Sequence, residues 1–131
     1  MSRPVNTTKA RIVERLLEFK LTIAAEELVS RLVADGHTAA LTTVLEVLDA
    51  EAEERHQRRV TRLRRASKLP HGKTLDSFDD TRLSAKVRRE LTNLASGAFL
   101  EEAVNVLAFG LPGVGKSHAI AAIGHALVEQ G

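Results

Sequence analysis

The sequence predicts a mainly α-helical protein that ends in the first strand, phosphate loop and helix of an α/β core. Two observations support this fold class. Apolar residues recur at helical spacing through most of the chain. Near its end, the segment 110–117 reads Gly-Leu-Pro-Gly-Val-Gly-Lys-Ser, which fits the phosphate-loop (Walker A) pattern G-x-x-x-x-G-K-[ST]. We divide the 131 residues into a helical N-terminal domain (1–69), a linker (70–83) and the N-terminal part of a nucleotide-binding domain (84–131).

Two short helices are predicted to open the N-terminal domain. Thr7 or Thr8 can cap the first helix. Its apolar stripe at helical spacing consists of Ile12, Val13, Leu16 and Leu17. The second helix is predicted from about residue 23 to residue 34, because it is followed by Asp35-Gly36, a common signal for the end of a helix.

A third, longer helix is predicted from its capping residue Thr38 to the helix breaker at Pro70. Its apolar stripe fades after Ala52, so the last four turns are expected to project into solvent as a basic rod. The rod, residues 55–68, contains seven basic residues and no acidic one.

One side of the rod is a candidate DNA-binding surface, because arginines at helical spacing can contact successive phosphates of a nucleic-acid backbone. These arginines are Arg55, Arg58, Arg59, Arg62 and Arg65. The rod holds no aromatic residue, so binding to DNA is expected to depend little on base sequence. In the alternative interpretation the arginines pair with Glu51, Glu53 and Glu54, or keep a long helix solvated.

The linker 70–83 is rich in turn-forming residues, with Leu75 and Phe78 as apolar anchors. Its acidic residues are of a kind that usually caps turns and helices, and a metal-binding role is the weaker alternative. They are Asp76, Asp79 and Asp80. Ser84 can then cap a helix that stops at Gly97 and carries Val87, Leu91 and Leu94.

The end of the chain predicts a site for the phosphates of a nucleotide. Residues 105–109 form a continuously apolar run typical of a covered parallel strand, and residues 117–130 favour a helix. Between them, N–H groups of the glycine-rich loop are expected to point into a hollow that the positive end of the helix also faces. Lys116 would reach the β and γ phosphates, and the Ser117 hydroxyl would coordinate Mg²⁺. The alternative is a glycine turn with an incidental surface lysine.

Composition excludes several other classes of protein. The chain has no cysteine, so it has neither disulfides nor cysteine-based zinc sites. Its five histidines lack the paired spacing of metal ligands. No apolar run approaches the roughly 18 residues needed to cross a bilayer, and the N-terminus lacks the apolar core of a signal peptide. We therefore expect a cytoplasmic protein without a membrane partner.

The order of these features resembles the IstB-like helper ATPases of insertion-sequence transposition, a branch of the AAA+ ATPases related to DnaC-type helicase loaders. The resemblance extends over nearly the whole chain. It rests on the arginine-rich helix, on the loop with its strand and helix, and on two linker motifs. These motifs are Lys68-Leu69-Pro70 and Lys73-Thr74-Leu75-Asp76-Ser77-Phe78-Asp79.

The resemblance implies ATP and Mg²⁺ as cofactors, with Ser117 as the magnesium ligand. It implies double-stranded DNA, the transposase of the same element and further copies of the full-length protein as partners. It would also place the linker near Leu75 and Phe78 beside the adenine. The implied nucleotide-binding residues are Gly110, Leu111, Pro112, Gly113, Val114, Gly115, Lys116, Ser117 and His118.

Members of this family are longer, and their second acidic motif, sensor residues and arginine finger have no counterpart in these 131 residues. We therefore expect an incomplete AAA+ domain, truncated after the phosphate-loop helix, that binds ATP without hydrolysing it. Two alternatives stay open. One is a DnaC-like loader of the replicative helicase. The other is a non-catalytic fragment that contacts DNA or protein while its phosphate loop is vestigial.

Overall fold

A computed structural model describes residues 3–131, with side chains from Val5 onward, and confirms that the chain is mainly helical. The helices divide into two compact units, one reaching to Gln57 and the other running from Arg58 to Gly131, and the third helix contributes to both. No helix of the described part is long and apolar enough to span a membrane. The six helices are α1 (Arg3–Glu18), α2 (Thr22–Ala34), α3 (Ala40–Ser67), α4 (Ala85–Ala95), α5 (Ala98–Glu101) and α6 (Lys116–Gln130).

The first unit is built around apolar residues that α1, α2 and α3 bring together. Ile12 and Leu16 lie one turn apart on α1, and Leu41 and Leu45 lie one turn apart on α3, so each pair shares a face of its helix. Ala25 of α2 completes this buried cluster. Because burying each large apolar side chain stabilises the fold by about 1.5–3 kcal/mol, packing of these stripes holds the unit together.

One carboxylate joins α1 to α3 at the edge of this core. Asp49 accepts hydrogen bonds from Arg11 Nη2 at 2.6 Å and from Arg15 Nε at 2.8 Å. The hydrogen bond from Arg15 is the main cause that lowers the pKa of the Asp49 carboxyl. The contribution of these pairs to stability is therefore lost as the pH falls through that lowered pKa. Since Asp49 is 32% exposed, solvent screens the pairs, and they orient the helices more than they stabilise them.

The predicted capping residues are wrong at α1 and right at α4. α1 begins at Arg3, so Thr7 and Thr8 lie inside the helix and do not cap it. The sequence allows this earlier start because Pro4 falls in the first turn, where its missing N–H costs no helical hydrogen bond. At α4, Ser84 Oγ accepts a hydrogen bond from Val87 N at 3.3 Å, as predicted.

In the second unit, α4 packs against α6. The middle of α6 is buried through small and branched residues, Ala121, Ala122 and Ile123. The chain leaves α4 through Gly97, whose φ of +82° suits glycine and where a Cβ would lie only 3.0 Å from Leu127 Cδ2. Gln130 Nε2 donates to the carbonyl of Ala95 at 2.6 Å, which satisfies one acceptor at the end of α4.

The predicted strand over 105–109 is not formed. Residues 104–110 have no regular secondary structure, and no strand occurs anywhere between residues 3 and 131. A β-strand needs hydrogen bonds to a neighbouring strand, and an apolar composition cannot supply that neighbour. Two of the apolar side chains are instead open to solvent, since Leu107 is 76% and Phe109 87% exposed.

The basic end of α3 is solvated on one side only, which corrects the prediction of a projecting rod. The helix runs to Ser67, but Val60 is 3% exposed and Arg64 pairs with Glu129 of α6. At about 100° per residue, Val60 and Arg64 lie on the side of the helix opposite to the arginines predicted to contact DNA. Spacing within α3 could not reveal this packing, because Glu129 lies 65 residues further along the chain.

Candidate functional site

The phosphate loop, residues 110–117, follows the irregular segment 104–109 and ends in the first turn of α6. Gly113 has φ +81° and Gly115 has φ +95°, and both values lie in the left-handed region. Residues with a Cβ are strained there, so the loop needs glycine at these two positions. Gly115 is also the N-cap of α6, and the first N–H groups of the helix need partners from outside it. Anions are the partners that such a helix end favours.

Gly110 is favoured for a different reason, which is the close approach of side chains. A Cβ at Gly110 would lie 3.1 Å from Val114 Cγ2 and 3.7 Å from Lys116 Cδ. The loop therefore folds back over its own first residue. This brings the side chain of Lys116 across the loop.

Lys116 holds its ammonium group inside the loop. Nζ donates to the carbonyl of Gly110 at 2.7 Å and to the carbonyl of Leu111 at 2.8 Å. An ammonium has three donors, so a third hydrogen bond can still be made. None of the carboxylates between residues 3 and 131 forms an ion pair with Lys116. Its positive charge is therefore available to an anion.

The two residues after Lys116 face different surroundings. Ser117 is exposed in the first turn of α6, and within the described part of the chain its hydroxyl has no hydrogen-bond partner. His118 is half-buried and directs its ring to the linker, where Nε2 lies 3.3 Å from the carbonyl of Thr74 and 3.2 Å from Ser77 Oγ. The side chain of Ser117 is thus available to a cation, whereas the His118 side chain is already engaged.

The arginines predicted to contact DNA do not all have the same surroundings. Arg55 Nε donates to Glu51 Oε1 at 2.6 Å, and its guanidinium carbon lies 4.2 Å from the ring centroid of Phe19. For Arg55, then, the alternative interpretation holds, because this arginine pairs with a glutamate of its own helix. Three other arginines are exposed and, among the described residues, form no hydrogen bond or ion pair. They are Arg59, Arg62 and Arg65. Arg58 is exposed as well.

Sequence reasoning missed the contacts that attach the linker to α6. Pro70 O accepts a hydrogen bond from His125 Nε2 at 2.9 Å, and the ring of Phe78 contacts that of His118 with centroids 5.1 Å apart. The sequence contains one sign of these contacts. Two histidines of α6, His118 and His125, are seven residues apart and therefore lie on one face of the helix. A cleft of about 970 Å³ lies beside these contacts, lined by Arg65, Lys68 and His71 among others.

The acidic linker residue Asp79 stabilises a turn. Its Oδ1 accepts hydrogen bonds from Thr81 Oγ1 at 2.6 Å and from Thr81 N at 3.1 Å, and these bonds lower the pKa of its carboxyl. No group of three or more histidine, aspartate or glutamate side chains in the described residues could hold a metal ion. The residue predicted to bind Mg²⁺ is Ser117, whose side chain is exposed.

Comparison with known proteins extends over most of the chain. The sequence profile described as "IstB-like ATP binding protein" matches residues 13–131. The chain is 41% identical over 86 residues to a protein of Sinorhizobium fredii, covering 65% of this chain and 29% of that protein. It is 35% identical over 85 residues to a protein of insertion sequence IS5376 from Geobacillus stearothermophilus, covering 65% of this chain and 34% of that one.

A third relative, from insertion sequence IS21 of Pseudomonas aeruginosa, is 39% identical over 84 residues, with 64% of this chain and 32% of that protein covered. All three carry the provisional name of insertion-sequence ATP-binding proteins. The chain thus spans about a third of the length of the curated relatives it matches. No solved structure matches it.

Proposed function

The chain belongs to the family of IstB-like ATP-binding proteins, and from this premise we propose that it binds ATP with Mg²⁺ and acts as a helper protein in DNA transposition. The observation that carries the proposal is the position of Lys116. Its ammonium group lies within a glycine loop at the N-terminus of α6, and among the described residues its hydrogen bonds go to two carbonyls of that loop. A cation in this position can transfer its hydrogen bonds to phosphate oxygens.

The residues of the loop fit a triphosphate in complementary ways. Gly113 and Gly115 have left-handed conformations that would let backbone N–H groups point at a phosphate, and the loop folds closely over Gly110. Lys116 would supply the positive charge, and the free hydroxyl of Ser117 would be a ligand of Mg²⁺. Magnesium, when bound, would neutralise negative charge on the phosphates.

The DNA-binding part of the proposal rests on the solvent-facing side of α3. Arg59, Arg62 and Arg65 are exposed, and no ion pair within residues 3–131 has to break before they bind an anion. At about 100° per residue they share one side of the helix with Arg58. This side suits the backbone phosphates of double-stranded DNA, which would be bound with little dependence on base sequence.

The biological setting is inferred from the relatives. Their names assign them to insertion sequences, which favours transposition over the loading of a replicative helicase. We therefore propose the transposase of the same element as the protein partner. We also propose that the full-length protein forms homo-oligomers on DNA.

Co-purification tests this role. The chain, immobilised with Mg-ATP, should retain the transposase encoded in the same element and should not retain the replicative helicase of the host. The cell extract is treated with nuclease before it meets the immobilised chain, so that DNA cannot bridge the two proteins. An unrelated protein of similar basic charge serves as the control. Retention of the helicase without the transposase would contradict a role in transposition.

A further inference from the structure

Part of the linker forms a strap, residues 70–78, that lies along one side of α6. Near its start, the carbonyl of Pro70 accepts a hydrogen bond from His125 Nε2 at 2.9 Å. Near its end, the carbonyl of Thr74 lies 3.3 Å from His118 Nε2. Since the two histidines are about two helical turns apart, the strap runs antiparallel to α6 and ends beside the phosphate loop.

His118 is fixed in orientation by the strap. A carbonyl oxygen can only accept a hydrogen bond, so we assign Nε2 of His118 as the N–H group that donates to Thr74 O. The same nitrogen lies 3.2 Å from Ser77 Oγ, and the Ser77 hydroxyl in turn donates to the carbonyl of Gly72 at 2.5 Å. These contacts prevent free rotation of the imidazole ring.

The ring of Phe78 lies close both to His118 and to the phosphate loop. It meets the imidazole edge to face, with centroids 5.1 Å apart and an interplanar angle of 67°. A Cβ built at Gly115 would lie only 3.1 Å from Phe78 Cε2. The ring therefore lies against Gly115, the N-cap of α6, whose backbone has a left-handed conformation.

We propose that Phe78, oriented by His118, is a positioning residue of the phosphate loop. Its ring restrains the backbone at Gly115, so that the N–H groups and the ammonium of Lys116 keep the geometry that binds phosphate. This role differs from contact with the adenine, which the family resemblance implies for this part of the linker. The inference rests on the nucleotide site proposed above.

A ligand without a base separates the two roles of Phe78. If the ring positions the loop, its removal weakens binding of Mg-ATP and of Mg-tripolyphosphate by the same factor. If the ring stacks on adenine, its removal weakens binding of ATP and leaves tripolyphosphate unaffected.

The experiment measures both affinities by calorimetry on the 131-residue chain. Phe78→Ala is expected to weaken both ligands about tenfold, in line with the loss of one edge-to-face contact. Phe99→Ala is the matched control, because it makes the same chemical change at a half-buried position of α5, and its affinities should equal those of the parent chain. Circular dichroism on the same samples reports helix content.

Two milder variants provide the test if Phe78→Ala loses helix content. Phe78→Leu keeps apolar bulk, and His118→Gln keeps a donor for Thr74 O, so both variants should fold. Both lose the contact between the two rings, so both should bind tripolyphosphate more weakly than the parent. Parental tripolyphosphate affinity in Phe78→Ala, or in both milder variants, overturns the positioning role. A parent chain that binds neither ligand overturns the proposed nucleotide site, and the inference with it.

Discussion

Replacing Lys116 with alanine is expected to lower the affinity for a fluorescent ATP analogue by a factor on the order of 100 or more. The reason is that Lys116 is the only lysine or arginine in residues 110–118, and the ring of His118 already contacts the linker. Without the ammonium group, the N–H groups of the loop would face the β and γ phosphates without a compensating charge. Equilibrium titration in the presence of magnesium measures the effect.

A control variant for this experiment is Lys86→Ala. It removes the same charge from an exposed position of α4 and should leave the affinity unchanged. Alanine is a strong helix former, so neither variant should lose helix content. Equal binding of the analogue by Lys116→Ala and by the parent chain would contradict the assignment of the loop as a phosphate site.

Replacing Arg59, Arg62 and Arg65 together with glutamine is expected to weaken binding to unrelated DNA duplexes alike. If each arginine contacts one phosphate, the slope of log K against log salt should fall by about 0.9 for each, or roughly 2.7 in all. Preference among duplex sequences should hardly change, because contacts to phosphates carry no base information. Fluorescence anisotropy at several salt concentrations measures both quantities.

The matched control replaces Lys86, Arg88 and Arg89 of α4 with glutamine, which makes an equal change in net charge elsewhere in the second unit. Gln and Arg have similar helix propensities, so circular dichroism should report intact α3 in the test variant. A salt slope that is the same in the test variant and the parent would contradict DNA binding through this side of α3. Equal losses in test and control would indicate attraction by net charge alone.

Sequence reasoning predicted what depends on local spacing. The helices, the Ser84 cap and the start of α6 directly after the glycine loop follow from periodicity and capping chemistry that a short segment contains. The loop was recognised by its motif, and the left-handed φ values at Gly113 and Gly115 agree with the tight backbone expected of it. That it binds phosphate stays a prediction.

Contacts between distant segments were not predicted. The burial of Val60, the pair of Arg64 with Glu129, and the contact of Phe78 with His118 join residues that are far apart in sequence, and no periodicity encodes them. The prediction of a strand over 105–109 was wrong for a related reason. Its apolar residues are typical of a covered strand, but strand formation depends on a neighbour that residues 3–131 do not provide.

The central claim is that residues 110–118 hold the phosphates of ATP. The most direct test is to measure amide chemical shifts while the ¹⁵N-labelled chain is titrated with Mg-ATP. We expect the largest shift changes at Gly110–His118, with smaller changes in the strap through its contacts with His118 and Gly115. The largest changes would instead fall at Arg65, Lys68 and His71 if the nucleotide bound in the 970 Å³ cleft. That result, or the absence of shifts in the loop at saturating Mg-ATP, would contradict the claim.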